Sequence, residues 1–181
     1  MNEKDFPSVT TILHGFGGYE NIPPEVLEKA AARGTEAHLG CYRYAVGEWS
    51  PTPVSEDARG YVASFKQWAD KWMDEVIAAE EGFIDPTYRI KGHPDLVCRV
   101  RHETKPVVID FKTPVTKNKT WCLQLAGYLH LVRENGIDAI RAFVLQLHKD
   151  GRMARAVSYA EQARDLAAFI AAAQAFNYIH S

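Results

Sequence analysis

Val107-Val108-Ile109-Asp110-Phe111-Lys112-Thr113 is the stretch from which the rest of the chain is read. Its apolar opening, Val107-Val108-Ile109, is the pattern of a strand covered on both faces. Side chains alternate along a strand, so Asp110 and Lys112 share one face, while Ile109 and Phe111 point the other way into packing. A carboxylate and an ammonium at the end of such a strand are costly to bury unless they do something there. Upstream, Gly92-His93-Pro94-Asp95 leads into a second β-prone run. If the strand holding Asp95 lies beside the one holding Asp110, two carboxylates and one lysine converge. Oxygen ligands suit Mg²⁺ or Mn²⁺. The lysine can orient or deprotonate a water, or offset charge growing on a phosphate. Each piece alone also has a plain reading, Asp-x-Lys as a solvated strand end and Gly-His-Pro-Asp as a tight turn. Their order, their separation and the apolar run before Asp110 make the pair more specific than either.

Residues 1–23 read as an irregular lead-in, with Pro7-Ser8 and the turn-prone Gly15-Phe16-Gly17-Gly18. Pro24 suits a first helical position and Gly47 a terminator. Between them Val26, Leu27, Ala30, Ala31, Gly34, Ala37, His38, Cys41 and Ala45 recur at helical spacing. Ser55 caps a second helix whose apolar set is Tyr61, Val62, Phe65, Trp68, Trp72 and Val76. From about Ile77 the runs are short and β-prone: Glu80 to Ile84, Tyr88 to Lys91, Pro94 to Arg101 and Val107 to Thr113. Helix returns over residues 118–135 and stops at Asn135-Gly136. Ala139 to His148 and Met153 to Ser158 read as a hairpin around Lys149-Asp150-Gly151-Arg152. Ser158 and Glu161 fit a capping box opening a last helix through Leu166, Phe169, Ile170, Ala173 and Phe176. This order predicts an α/β or α+β sheet with helices on its faces.

The 181 residues lie in the range of one domain, taken as 1–181. Hydrophobic residues at 46% and charged residues at 24% exclude a disordered or collagen-like chain. Twenty-one Lys plus Arg against 23 Asp plus Glu give a net charge of −2. That excludes a basic, histone-like DNA binder but leaves room for a local basic patch. Cys41, Cys98 and Cys122 are scattered and form no CxxC pair, so a disulfide framework or zinc knuckle is not expected. All three read as small buried apolar residues in a reducing compartment. No apolar h-region follows Met1-Asn2-Glu3-Lys4-Asp5, and Leu166 to Ala173 is too short to span a bilayer. The expected location is cytoplasmic, without a membrane partner.

Asp95 together with Asp110-Phe111-Lys112 resembles the signature of the PD-(D/E)XK nuclease superfamily. Arg33-Gly34-Thr35-Glu36-Ala37-His38 is similar to the Arg-Gly-Thr-x-x-His context of its RecB-like exonuclease branch, which includes many phage exonucleases. Gln124-Leu125-Ala126-Gly127-Tyr128 is similar to the Gln-x-x-x-Tyr of that branch. The opening Pro7-Ser8-Val9-Thr10-Thr11-Ile12-Leu13 is similar to the start of several phage members. The resemblance runs in order from residue 7 to 128. It implies a restriction-endonuclease-like core, a mixed central sheet flanked by helices with the site at a sheet edge. It also implies Mg²⁺ or Mn²⁺ held by His38, Asp95, Asp110 and the carbonyl of Phe111, with Lys112 catalytic. Gln124 would reach Lys112 or a phosphate, and Tyr128 would border the site. His93, at a variable family position, is expected as a supporting or DNA-contacting residue. Glu80 or Glu81 is a candidate for the upstream acid that some members use, although an ordinary exposed acid is the commoner reading for either. Three scattered cysteines exclude the four-cysteine iron–sulfur cluster of some relatives.

The implied activity is metal-dependent hydrolysis of DNA phosphodiesters, more an exonuclease on linear ends than an endonuclease. It would leave a 5′-phosphate and a 3′-hydroxyl in phage-type recombination, repair or processing. A recombination partner protein and an oligomer are compatible with it. The alternatives are a catalytically silent nucleic-acid-binding module of the same fold, a structure-specific endonuclease, and a non-nuclease α/β protein with an accidental match. DNA contact is expected from Lys112, Lys117 and Lys119, with Arg89, Lys91, Arg99 and Arg101 on neighbouring strands.

Overall fold

The structure is a computed structural model and describes residues 5–16, 23–48, 54–113 and 117–180. Its centre is a five-stranded sheet of β1 (Met73–Ala79), β4 (Leu96–Val100), β5 (Val107–Lys112), β6 (Arg141–Gln146) and β7 (Arg155–Ser158), side by side in that order. β5 and β6 run parallel and the other neighbours antiparallel, so the sheet is mixed. A separate hairpin joins β2 (Phe83–Asp85) to β3 (Ile90–Gly92). The helices are α1 (Val9–His14), α2 (Pro24–Ala45), α3 (Glu56–Trp72), α4 (Trp121–Glu134) and α5 (Gln162–Ile179).

Strand alternation sorts the core into two layers. Val107, Ile109 and Phe111 of β5 pack with Leu96, Cys98, Phe143 and Leu145 against α2 and α3. Val108, with Val97, Ala142 and Val144, packs on the other side against α1, α4 and α5. β5 is therefore covered on both faces, as its unbroken apolar run requires. Phe65, Phe111, Phe143 and Phe169 are fully buried. At roughly 25 cal/mol per Å² of apolar surface, such aromatic burial contributes about 2–3 kcal/mol for each ring.

Several expected boundaries move. The lead-in contains α1, whose Ser8 side chain accepts the Thr11 N–H at 3.0 Å, while Gly17 and Gly18 lie outside the described residues. The second helix stops at Trp72 and Val76 belongs to β1, an edge strand with two register shifts against β4. Those irregularities break the alternation that would mark Met73–Ala79 as strand. The run from Glu80 to Ile84 is accordingly a turn followed by the short β2. The Ser158–Glu161 capping box does not form, because Glu161 itself is the N-cap residue and makes no side-chain cap bond. Ser55 precedes α3 as expected, but its hydroxyl donates to Glu36 at 2.5 Å instead of capping. Cys41 and Cys98 are buried, whereas Cys122 is only half-buried. No described helix is long and apolar enough to cross a membrane.

Candidate active site

The β4–β5 ladder ends at the pair Leu96↔Ile109. Beyond it Phe111 has no ladder partner on the β4 side, and Asp95 Oδ2 accepts its N–H. A buried amide is thereby satisfied by a side chain where the strands part. The other oxygen of Asp95, Oδ1, lies 3.0 Å from Nδ1 of His38 on α2. The His38 ring also stands edge-on to Phe111, 5.6 Å between centroids. Asp95 is thus fixed from two directions, by the Asp-x-Lys strand and by the helix carrying the Arg-Gly-Thr motif.

Asp110 faces the opposite layer. Its Oδ2 is 2.6 Å from the Lys112 ammonium, and its Oδ1 accepts from Gln124 Nε2 on α4 at 3.0 Å. The same Gln124 amide lies 3.2 Å from Tyr128 Oη. Gln124 and Tyr128, one helical turn apart, therefore meet on one face as their spacing predicts. Gln124 reaches Asp110, whereas the resemblance points it to Lys112 or a phosphate. Lys112 keeps 18% of its side-chain surface exposed while Asp110 keeps 4%, so the ammonium is the more accessible member of the pair.

Ligand-capable atoms of His38, Glu80 and Asp95 all lie within 4.8 Å of one another. Both glutamates that the sequence leaves open are exposed, and this geometry selects Glu80, because Glu81 lies outside the group. Glu80 follows β1 in a left-handed backbone conformation, φ 51°, with its N–H donated to the Asp95 carbonyl at 3.2 Å. A non-glycine residue held there is strained, a pattern that concentrates at functional sites. A sequence gives no direct sign of such a φ, and the bulged β1 conceals which residue stands opposite Asp95. Asp110 lies outside that trio, engaged by Lys112 and Gln124, and what the structure records for Phe111 is its N–H on Asp95. His93 is exposed and packs over Gly82, where an added Cβ would come within 2.9 Å of its Nε2.

The electrostatics reflect crowded negative charge. Burial, then the Asp95 and Asp110 carboxylates, raise Glu80 above its ordinary value. Burial also pushes Asp110 up, and the Lys112 ammonium offsets only part of that. Burial draws His38 down, but the charge and hydrogen bond of Asp95 outweigh it and leave the imidazole raised. Burial, then Asp110, holds the Tyr128 phenol well above its ordinary value, so it acts as a neutral hydrogen-bonding group. Two carboxylates and an imidazole converging in this way fit a divalent cation, which would relieve the carboxylate repulsion that adds to burial in raising Glu80.

The expected basic patch is only partly assembled here. Arg99 pairs with Glu75 at 3.0 Å, and Arg101 donates to the Asp70 carbonyl at 3.4 Å. Both lie toward the far end of β4, roughly 13–20 Å from Asp95 at about 3.3 Å per residue. Lys117 and Lys119 are exposed ahead of α4.

The family model described as the PD-(D/E)XK nuclease superfamily matches residues 18–178. Among solved structures, one from Eubacterium rectale described as a "Putative exonuclease" is similar over 96% of this chain and 79% of its own, at 13% identity and a TM-score of 0.58. At that identity the likeness is one of fold. A second, described as SSO0001, shares 21% identity over 55% of this chain and 50% of its own, with a TM-score of 0.33 too low to carry an argument. No curated protein sequence matches the chain.

Proposed function

The chain belongs to the PD-(D/E)XK nuclease superfamily, and from that premise we propose that it is a divalent-metal-dependent deoxyribonuclease acting on ends of linear DNA. The observation that carries the reading is the joined pair of contacts at the strand ends: Asp95 held by His38 at 3.0 Å, and Asp110 by Lys112 at 2.6 Å. A catalytically silent module would have no need to keep Asp95, Asp110 and Lys112 together.

His38, Glu80 and Asp95, with Asp110 beside them, are the residues that would hold Mg²⁺ or Mn²⁺, and the Phe111 carbonyl remains a candidate. When bound, the cation supplies Lewis-acid polarisation of the scissile phosphodiester. Lys112 orients the attacking water or offsets charge growing on the phosphate. Gln124 fixes the Asp110 carboxylate, and Tyr128 fixes Gln124. The water oxygen bonds to phosphorus as the bond to the 3′ oxygen breaks, and the departing oxygen takes up a proton. The products are a 5′-phosphate and a 3′-hydroxyl.

The exonuclease reading and the RecB-like, phage-type branch rest on the motifs Arg33-Gly34-Thr35-Glu36-Ala37-His38 and Gln124-Leu125-Ala126-Gly127-Tyr128. The setting that follows is cytoplasmic DNA recombination, repair or processing by one domain, beside a recombination partner protein or as an oligomer. The test is digestion of end-labelled linear single-stranded, linear duplex and circular DNA with Mg²⁺, Mn²⁺ or EDTA. Mononucleotide release from linear substrates only is expected. Cutting of circles would replace exonuclease with endonuclease, and full activity in EDTA would overturn the metal mechanism.

A further inference from the structure

A groove of about 460 Å³ opens beside the end of β5, and its lining includes Tyr61, Lys117, His148, Lys149, Arg152 and Arg155. Four of these side chains are cationic, and Asp150 is the acid that lines the groove with them. The groove continues the candidate site. Gln146, another lining residue, pairs with Lys112 across β5 and β6, and the next N–H, of Leu147, donates to the Lys112 carbonyl at 2.8 Å.

The basic loop between β6 and β7 is fixed in place. The His148 N–H donates to Ser64 Oγ at 3.0 Å, the Ala154 N–H to the Ser64 carbonyl at 3.1 Å, and Gln67 Nε2 to the Gly151 carbonyl at 2.5 Å. Gly60 lets α3 approach so closely that a Cβ there would lie 1.7 Å from the Lys149 carbonyl oxygen. Arg152 and Arg155 are exposed, so their charge costs no desolvation in the free protein. Burial, then Arg152, draw the His148 imidazole below its ordinary value, with Asp150 opposing and Arg155 adding to the fall. At the rim, the Arg33 guanidinium stacks 5.9 Å over the Tyr61 ring, and its buried Nε has no hydrogen-bond partner among the described residues.

We propose that this groove binds the sugar–phosphate backbone of the nucleic-acid strand leading to or from the scissile bond, with Lys117, Arg152 and Arg155 on its phosphates. A fixed cationic groove that tracks the backbone is how strands are held without reading their sequence; Tyr61 is buried and supports the floor of the groove. Lys149 pairs with Asp57 at 3.1 Å, and Arg152 lies 3.7 Å from Asp150 and 3.3 Å from His148 Nδ1; both ion pairs are exposed and weak enough for a phosphate to displace. The inference deepens the nuclease reading and rests on it for the identity of the strand.

The test measures binding of labelled single-stranded and duplex oligonucleotides by fluorescence anisotropy in EDTA, across a salt series. Removing one cation from a phosphate should flatten the slope of log K against log salt by about 0.7 for a single strand or about 0.9 for a duplex. The double variant Arg152→Ala/Arg155→Ala should therefore bind more weakly with a slope shallower by about 1.4 or about 1.8, and Arg152→Lys/Arg155→Lys should keep the slope. A change with single strands alone identifies an unpaired strand as occupant; a change with both identifies one strand of a duplex. An unchanged slope in the alanine variant overturns the groove. Cleavage of the same oligonucleotides by the wild-type chain in Mn²⁺ is scored separately. Cutting with an unchanged slope retires the groove alone, and a flattened slope without cutting retires the nuclease reading alone.

Discussion

Asp95 Oδ2 accepts the backbone N–H of Phe111, the residue between Asp110 and Lys112. The two parts of the Asp95…Asp110-x-Lys112 signature are therefore bonded to each other through a peptide group. A shift of β5 along β4 would break that bond and move Asp110 and Lys112 together relative to Asp95, so the strand register sets the distance on which the proposed chemistry depends.

Lys112 and Asp110 should fail differently. Lys112→Ala is expected to lower the single-turnover cleavage rate by about two orders of magnitude or more, the scale of an acid–base or electrostatic group. Its metal affinity should change little, because lysine is not a ligand. Asp110→Ala should lose metal affinity as well as rate. Calorimetric metal titration and single-turnover cleavage on both variants check the pair. Near wild-type cutting by Lys112→Ala would remove the catalytic reading of this strand.

At the other carboxylate, His38→Ala and Glu80→Gln should each weaken Mn²⁺ binding, whereas His93→Ala should alter it much less. The motive is the 4.8 Å cluster of His38, Glu80 and Asp95, from which His93 is absent. The measurement is a Mn²⁺ titration followed by calorimetry, with cleavage assayed in parallel. A dead His93→Ala beside an active His38→Ala would reverse the assignment.

Acid sensitivity should trace in part to Asp85 on β2. This buried carboxylate accepts the Thr87 N–H at 2.7 Å and lies 2.6 Å from His130 Nε2. Burial works to raise it, but the bonds to His130, Thr87 and Tyr88 win and leave it below its ordinary value of 3.8. The unfolded chain therefore takes up this proton at higher pH than the folded one. The stability Asp85 contributes is present above about pH 4 and is lost as pH falls through the folded value. Asp85→Asn should lower stability at neutral pH by about 1–3 kcal/mol. It should also flatten the fall in denaturation midpoint below about pH 4; an equally steep fall in the variant would assign that sensitivity elsewhere.

Gly60→Ala should be disproportionately damaging for so small a change. The new methyl would meet the Lys149 carbonyl, a backbone atom that cannot rotate away. Overpacking of this kind costs about 1–3 kcal/mol, which thermal denaturation reads as a drop of several degrees at this chain length. A melting temperature within about one degree of wild type would mean the loop moves freely after all.

Patterns with a strict period are legible in the sequence alone. The apolar run of β5, the helix from Pro24, and the Gln124–Tyr128 turn all stand where their spacing puts them. Legibility fails where tertiary partners override local rules. β1 is bulged, so its alternation is broken, and Trp72 and Val76 look helical in sequence although only the first is. Glu80 cannot be separated from Glu81 in sequence because its placement depends on a left-handed φ imposed by pairing with the Asp95 backbone. Arg99 and Arg101 look like surface cations, but Glu75 and the Asp70 carbonyl claim them. The cations of the β6–β7 loop lie close to Lys112 only because β6 runs parallel to β5, a fact of topology that no window of sequence contains.

The attachment of Asp95 to His38 in one helical layer, and of Asp110 to Gln124 in the other, makes turnover a stringent reporter of folding. A collapsed chain with its secondary structure formed but one layer undocked would look nearly native by circular dichroism and yet cut nothing. Refolding followed by regained cleavage would therefore time the closure of the whole sandwich, and the lag between the spectroscopic and enzymatic signals would measure how long the last helix takes to dock.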